Sequence, residues 1–600
     1  MTLITIISRH LSHLTPIIFE FKNRVKNHII ITDESKEDKE RAEELYNGIK
    51  KLNKKYNLKS KIKVFVIDED DKSDFNNIFY KLKKMIKSKI YLNVSEADTT
   101  LTIMMSAFTF KNKGKVISYD KNDNTYNLIY KNHFQNHIIQ NSMKIEDYLT
   151  LLDYKIEDKT TAKQIVDRKI PIFRLFKNMK KINTIKYNLN HNIYEFCGLE
   201  TELKELNIID NNKILDKSSI GRLFEEYLFW KLFRFDFDDI LMNVKITSDT
   251  KQNRDIMNEF DVIMIKNNQI FIVEAKFGTI NYKQTPNKTA GDIIYKSDSL
   301  LSLFGEDSKM LVVNISNKKL FSDYMQVRAK EHNILIYQGN KIDKDFYEFI
   351  TKNTSLKEKI FLLGGKDLEM ETIKAILIKY NQNVADKNLK WGAKLSSYKK
   401  TLNKKYHFYG IELDEDIQTP KFYTKIDHHN ELSQNPSSIE QIADILDIKL
   451  NKYEKLVALN DKGYIPAMEK FGATKQEINQ IRQQDRVIQG VTQTDEILAK
   501  KSIQNISIEN NINVVYAFSD KFSAIIDRLY PMKNVIIYND NKLVFYGDIK
   551  PLIKKFDNLI KNNQAYYGGG KNGFFGIKEN IFTSNVIKDI KKDIISLNLR

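Results

Sequence analysis

Residues 258–277 read NEFDVIMIKNNQIFIVEAKF: two apolar runs of strand length separated by KNNQ. A turn signal between two such runs predicts a hairpin of buried strands. The constraint lies in what those strands carry. Asp261 stands at the start of the first, and Glu274 and Lys276, two positions apart in the second, project from one face. Two carboxylates and an ammonium are not buried without compensation. A hard divalent cation such as Mg2+ or Mn2+ takes oxygen ligands and keeps several waters, so Asp261 and Glu274 are read as its ligands. Lys276 is read as the group that positions or activates an attacking water. The bland alternative, usual for a lone ExK, is an edge strand whose polar side meets solvent.

The flanks extend the pattern. Upstream, GRLFEEYLFWKL (221–232) reads as an amphipathic helix with an acidic spot, and downstream IIYKSDSLLSLFGE (293–306) reads as a helix followed by the short strand MLVVN. The order helix, strand, strand, helix, strand, with D…ExK on the hairpin, resembles the PD-(D/E)xK nuclease superfamily. That resemblance implies a metal-dependent endonuclease domain over 216–345. It also assigns Glu225 to the metal site as a catalytic residue, with Glu226 as the neighbour able to replace it, and implies a substrate-facing helix carrying Tyr295 and Lys296.

With 600 residues the chain must form several cores. Its net charge of +18 favours a polyanionic partner such as DNA or RNA. The excess is mostly lysine in an Asn- and Ile-rich chain with only 8 prolines, a bias an AT-rich coding sequence would also give. The single cysteine, Cys197, excludes an internal disulfide and fits a reducing compartment. The apolar start is broken by Arg9 and His10, which reads as a strand rather than a signal peptide. No run is long enough to span a bilayer. A cytoplasmic protein with no membrane partner is expected.

Residues 1–155 alternate strands (LITIIS, HIIITD, KVFVID, KIYLNVS) with helical stretches, the pattern of a parallel, doubly wound, Rossmann-like sheet. Ligands of such sheets bind beyond the carboxyl ends of the strands, here Ser8, Arg9 and His10 after the first and Ser95, Thr99 and Thr100 after the fourth. The second group precedes a helix, so it is either a phosphate-binding N-terminus or simply a helix cap. A unit of this kind ahead of a PD-(D/E)xK nuclease, with LNVSEADTTLTIMMSAF as its loop and helix, resembles the CARF nucleases of type III CRISPR systems. The family's paired glycines and lysine are replaced here by Glu96, Ala97, Asp98 and Thr99, and acidic groups there would repel a phosphodiester ring. The resemblance implies a cyclic oligoadenylate ligand bound across the two-fold axis of a homodimer.

Four later segments end in ligand-type side chains: KIFLLGGKDLEME at Asp367 and Glu369, YHFYGIELDED at Glu412, KFYTKIDHHNE at Asp427, His428 and His429, and KLVALNDKGYIP at Asp461. Oxygen with imidazole suits Mn2+. The series resembles the DHH phosphoesterases, although Leu363 stands where that family has a histidine and Glu369 and Glu412 replace aspartates. It implies a two-Mn2+ phosphodiesterase domain over 355–505. AYYGGGKNGFFG then resembles the substrate-binding signature of a DHHA1-type lobe over 506–600, with Gly568, Gly569, Gly570 and Lys571 as ligand-binding residues; a plain glycine-rich turn is the alternative. Between these motifs, Ile478, Ile481, Arg482 and Asp485 recur at helical spacing as a packing face, with Arg482 and Arg486 read as solvated charges or phosphate clamps.

The expectation is therefore an α/β chain with a CARF-like sensor (1–155), a linker (156–215), a nuclease, and a DHH-like unit that degrades the cyclic messenger. The alternatives are a repair or restriction nuclease whose two centres act on one polymer, and a catalytically decayed regulatory scaffold.

Overall fold

The computed structural model describes the chain except for residues 69–74, 132, 178–185, 189–192, 196–198, 211–212, 215–218, 249–256, 278–285, 306, 317–318, 569–572 and 598–600. Cys197, Gly569, Gly570 and Lys571 fall outside the described residues. The chain divides into two mixed α/β units, 1–358 and 359–600. No described helix is long and apolar enough to cross a membrane.

In the first unit, β1 (Thr2–Ile6), β2 (Asn27–Asp33), β3 (Lys61–Ile67), β4 (Ile90–Asn93) and β5 (Lys115–Asp120) are joined in parallel pairings. β6 (Thr125–Tyr130) and β7 (His133–Ile138) extend the sheet antiparallel, in the order β3-β2-β1-β4-β5-β6-β7. Strand β1 is buried at every position, as a central strand covered on both faces must be. Helix α1 (Lys36–Lys55) is capped by Ser35, whose hydroxyl accepts from the Asp38 amide, and buries Ala42, Leu45, Ile49 and Leu52 along one stripe. Helix α2 (Thr99–Lys111) follows β4, with Asp98 accepting from the Leu101 amide. Helix alternates with strand here as the sequence pattern predicts.

The second sheet contains the predicted hairpin and two strands that the sequence reading did not anticipate. β8 (Tyr154–Thr160) straddles the expected border between sensor and linker and pairs antiparallel with β9 (Asp239–Ser248). Beyond β9 come β10 (Asn258–Lys266), β11 (Gln269–Phe277), β12 (Lys309–Ile315) and β13 (Ile334–Gly339), giving the order β13-β12-β11-β10-β9-β8. At the hairpin turn Asn267 and Asn268 take φ of 50° and 63°. Two successive left-handed residues make the turn whose twist matches the flanking strands.

Helix α3 (Ser219–Leu232) packs on β11, and α4 (Pro286–Leu301) leads toward β12. Part of the expected linker is ordered structure: the helix Lys169–Lys177 buries Ile172, Leu175 and Phe176, with Phe176 stacked on Tyr227 of α3 at 4.7 Å. One continuous apolar core runs from Leu3 of the first sheet through Ile246, Phe260 and Ile272 to Ile336 of the second. The two sheets are therefore packed as one body rather than joined by a tether.

In the second unit, β14 (Glu358–Leu362), β15 (Asn383–Ala385), β16 (Tyr406–Ile411) and β17 (Tyr423–Ile426) form a sheet in the order β15-β14-β16-β17, with α5 (Leu368–Lys379) following β14. Helices α6 (Lys452–Lys470) and α7 (Lys475–Ile488) connect to a second sheet. Its strands are β18 (Ser507–Glu509), β19 (Ile512–Tyr516), β20 (Val535–Tyr538), β21 (Leu543–Gly547), β22 (Ala565–Gly568) and β23 (Gly573–Ile577), ordered β18-β19-β20-β21-β23-β22. Gly364, just past β14, is required by close approach: a Cβ there would lie 2.4 Å from the Ile411 carbonyl oxygen at the end of β16.

Candidate active sites

Asp261 and Glu274 stand one residue beyond the ladder pair Val262–Val273, where β10 and β11 diverge. The Asp261 carboxylate bridges the gap, accepting a hydrogen bond from the Ala275 amide at 2.7 Å. Lys276 Nζ lies 2.5 Å from Glu274 Oε1, and Lys296 of α4 reaches the same oxygen at 3.3 Å. Burial raises the Asp261 carboxyl to about 7, and the neighbouring Glu274 and Glu225 carboxylates push the same way. Glu274 is also buried, yet Lys276 and Lys296 hold its carboxyl below the usual range. The two carboxyls are thus driven apart by their surroundings, a pattern common at functional sites.

Of the adjacent glutamates on α3, Glu225 feels the fields of Lys276 and Glu274. Glu226 points elsewhere, 3.3 Å from Arg168 and pushed to about 7 by burial. The helical repeat explains why: neighbouring residues lie about 100° apart around the axis, so only one of them can share the strand-facing side. The structure thus places Asp261, Glu274 and Lys276 together on the hairpin with Glu225 in their electrostatic field, oxygen donors and an amine of the kinds a hard cation and its attacking water use.

In the first sheet, an isolated bridge between Ser8 and Ala97 brings together the loops after β1 and β4. Ser8 Oγ donates to the His10 carbonyl, and Ser95 Oγ donates to the Asn93 side chain at 2.6 Å while accepting from the Tyr119 amide at 3.0 Å. Arg9, Thr99 and Thr100 are exposed. Asp98 is a helix cap, in line with the cap alternative for this loop.

The expected repulsion from Glu96 is offset. Its carboxylate lies 2.7 Å from His13 Nδ1 and 3.2 Å from Lys121 Nζ. His13 and Lys121 each also reach Asp307, at 2.7 Å, in the segment between α4 and β12 of the second sheet. This four-residue bridge joins the loop after β4 to the sheet that carries Glu274. Sequence reading passed over His13, Lys121 and Asp307 because no local pattern connects them. Gly305 sits close by, where a Cβ would fall 2.2 Å from the Ser12 hydroxyl.

In the second unit His428 is the hub. Its Nε2 lies 2.7 Å from Asp461, 3.3 Å from Glu369 and 3.6 Å from Glu412. Burial alone would lower this imidazole, but hydrogen bonds to Asp461, Glu369 and Glu412 outweigh it and raise it to about 12. Asp461 lies below the usual carboxylate range because His428 counters its burial, whereas burial together with the neighbouring carboxylates lifts Asp367 and Glu369 well above it. Glu412, His428 and His429 offer a second compact donor set. Such crowding of carboxylates around imidazoles fits a divalent cation.

The other expected ligands sit at the periphery. Asp367 Oδ1 caps α5 through the Met370 amide at 2.8 Å, and Asp427 pairs with His429 at 3.1 Å. Asp461 lies within α6, in a segment whose sequence is helix-forming, and α6 kinks at Tyr464 with φ of 58° and ψ of −154°. Leu363 is buried core rather than a ligand. Gly568 ends β22, where a Cβ would meet the Phe574 ring at 2.8 Å. Arg482 is neither solvated nor a phosphate clamp: it is buried against Asp485 at 2.7 Å, Asp527 at 3.0 Å and the Asn460 side chain at 2.9 Å. Arg486 is likewise occupied by Glu496 and Asp527.

Comparison with known proteins gives partial matches. Protein VC1899 from Vibrio cholerae is 15% identical with a TM-score of 0.42, covering 56% of this chain and 93% of its own. Can2 from Sulfobacillus thermosulfidooxidans, solved in complex with cyclic tetra-adenylate, is 15% identical with a TM-score of 0.41, covering 56% and 95%. RecJ from Thermus thermophilus, in complex with Mn2+, is 11% identical with a TM-score of 0.26, covering 40% of this chain and 52% of its own. No curated protein matches significantly. Residues 216–350, the segment holding Glu225, Asp261, Glu274 and Lys276, match the family described as Card1-like, endonuclease domain.

Proposed function

We propose that the chain is a metal-dependent endonuclease of DNA or RNA, gated by a cyclic oligoadenylate in type III CRISPR defence, with a second, phosphodiesterase centre in residues 359–600. The observation that carries the nuclease reading is the convergence of Glu225, Asp261, Glu274 and Lys276 inside the segment that matches an endonuclease domain. Glu225, Asp261 and Glu274 would hold Mg2+ or Mn2+, which when bound neutralises phosphate charge and makes a coordinated water more acidic. Lys276, within hydrogen-bond reach of Glu274, orients the attacking water and offers positive charge to the scissile phosphate. Lys296 holds the outer side of Glu274 and faces the approaching strand.

The ligand class comes from the resemblance of residues 1–155 to the CARF sensors, and the same resemblance implies a homodimer. Gating is supported by the His13–Glu96–Asp307–Lys121 bridge: a ring engaging the loop after β4 competes for His13 and Lys121 and thereby loads the segment between α4 and β12. In the second unit Glu369, Glu412, His428, His429 and Asp461 would hold Mn2+, with Asp367 and Asp427 bordering them. That centre hydrolyses phosphodiesters, and the messenger is its candidate substrate.

Plasmid DNA and single-stranded RNA incubated with Mg2+ or Mn2+, with and without a panel of cyclic oligoadenylates, test the reading. Cleavage is expected only with one ring size. Cleavage that ignores every ring overturns the gating, and an intact ring after long exposure with Mn2+ overturns the messenger-degrading role.

A further inference from the structure

The chain has two tryptophans. Trp230 is fully buried in α3, whereas Trp391 in the second unit is 74% exposed. An indole left in water at the tip of a mobile loop would mean little, but this loop is pinned on both sides. Before Trp391, the Lys366 amide donates to the Leu389 carbonyl at 2.8 Å; after it, the Asp414 amide donates to the Ala393 carbonyl at 2.9 Å, and Ala393 is buried. Gly365 lets the loop lie flat, because a Cβ there would stand 2.9 Å from the backbone nitrogen and Cα of Trp391. Asp367 follows Gly365 by two residues, about 7 Å of chain. The backbone that carries the indole therefore packs against the segment leading from β14 into Asp367, which borders the carboxylate and imidazole centre.

Trp391 is braced by Tyr566 of β22 in a tilted pair, with ring centroids 5.9 Å apart at 56°. Tyr566 is itself fixed: its ring lies over Gly576 of the neighbouring strand, where a Cβ would fall 2.5 Å away, and it meets Phe574 at 6.1 Å. A separation of 5.9 Å leaves no room for a third ring between the two. A planar ligand therefore stacks on exposed indole surface that Tyr566 leaves open, with Tyr566 bracing the ring. Exposed Lys390 and Lys394 flank the tryptophan in KNLKWGAK and supply the charge a nucleotide phosphate needs.

We propose that Trp391, braced by Tyr566, is a nucleobase-stacking subsite that positions the nucleotide next to the phosphodiester hydrolysed at the His428 centre. The proposal rests on reading that centre as a phosphodiesterase and adds what the reading lacks, a reason for the substrate to be a base-bearing one.

The test uses the full-length protein with Mn2+ and two linear probes, the dinucleotide pApA and the same ribose-phosphate backbone without bases. Trp391→Ala is expected to raise KM for pApA roughly 5- to 100-fold, the usual scale of base–aromatic stacking, with the effect carried in KM rather than kcat. Trp391→Phe should recover most of the loss, and the abasic probe should not distinguish the variants. A non-hydrolysable phosphorothioate of pApA should quench tryptophan fluorescence saturably, and Trp391→Phe, which leaves only buried Trp230, should abolish the quench. An unchanged KM for pApA in Trp391→Ala, or an equal loss on the abasic probe, overturns the subsite and leaves the phosphodiesterase reading standing. Base-dependent quenching without turnover of pApA by the wild type supports the subsite and overturns that reading.

Discussion

Replacing Arg482 by methionine tests whether the helices behind the His428 centre are held by a buried ion network. The guanidinium spans Asp485 at 2.7 Å, Asp527 at 3.0 Å and the Asn460 side chain at 2.9 Å, one residue before Asp461, and lies 4.5 Å from the Tyr464 ring at the kink. Breaking a buried pair by removing one partner usually costs about 3–5 kcal/mol. The two carboxylates are not equally exposed to that loss. Asp527 keeps Arg486, whereas among the described residues Arg482 is the one cation in ion-pair contact with Asp485, which keeps neutral donors from Gln489 at 3.0 Å, Asn460 and the Leu368 backbone.

The expected loss is therefore near the lower end, about 3 kcal/mol. With a urea slope near 3 kcal/mol/M, this lowers the midpoint by about 1 M. Trp230→Phe in both proteins leaves Trp391 as the reporter of unfolding in residues 359–600. Burial already raises the Asp485 carboxyl. A carboxyl whose folded value lies above its unfolded one contributes stability at low pH that is lost as pH rises through the folded value, so the deficit of the methionine variant should shrink as pH falls toward 5. Lysine should restore the deficit only in part because it cannot fork to several acceptors. A midpoint shift under 0.3 M, about a third of the expected one, or a deficit that grows on acidification, refutes the reasoning.

Three further outcomes are expected. Lys276→Met and Glu225→Gln should each lower nucleic-acid cleavage by on the order of 100-fold or more, whereas Glu226→Gln, whose carboxylate faces Arg168, should change cleavage less than threefold; initial rates on a labelled strand separate these cases. Because burial holds the Asp261 carboxyl near 7 in the ion-free protein, Mn2+ affinity at the first centre should weaken as pH falls from 8 to 6, and Asp261→Asn should flatten that dependence; calorimetry in the two buffers reads both. Asp307→Asn removes one end of the bridge to Glu96, so the concentration of cyclic oligoadenylate giving half-maximal cleavage should move at least fivefold with little change in unstimulated rate.

What could be read from the sequence was local. Asp261, Glu274 and Lys276 lie within one hairpin whose turn residues and period-two spacing fix their relative positions before any tertiary contact forms, and Asn267 and Asn268 take the left-handed turn that spacing demands. The packing face Ile478, Ile481, Arg482 and Asp485 followed from helical periodicity and is buried as a set. The same periodicity could not say that Arg482 would face carboxylates from other segments rather than water. Nor could it choose between Glu225 and Glu226, since which side of α3 meets β11 depends on the docking of Phe224 and Tyr227.

Side-chain type and strand or helix period therefore determined the chemistry available and the local geometry of the first centre, because those interactions reach only a few residues along the chain. Tertiary structure decided the rest. It brought His13 and Lys121 to Asp307, and His428 to Glu369, Glu412 and to Asp461 of helix α6. It also set β8 and β9 beside the hairpin. Pairings between residues far apart in sequence are selected by the burial of the shared core and the closure of sheet edges, and no local residue pattern encodes that selection.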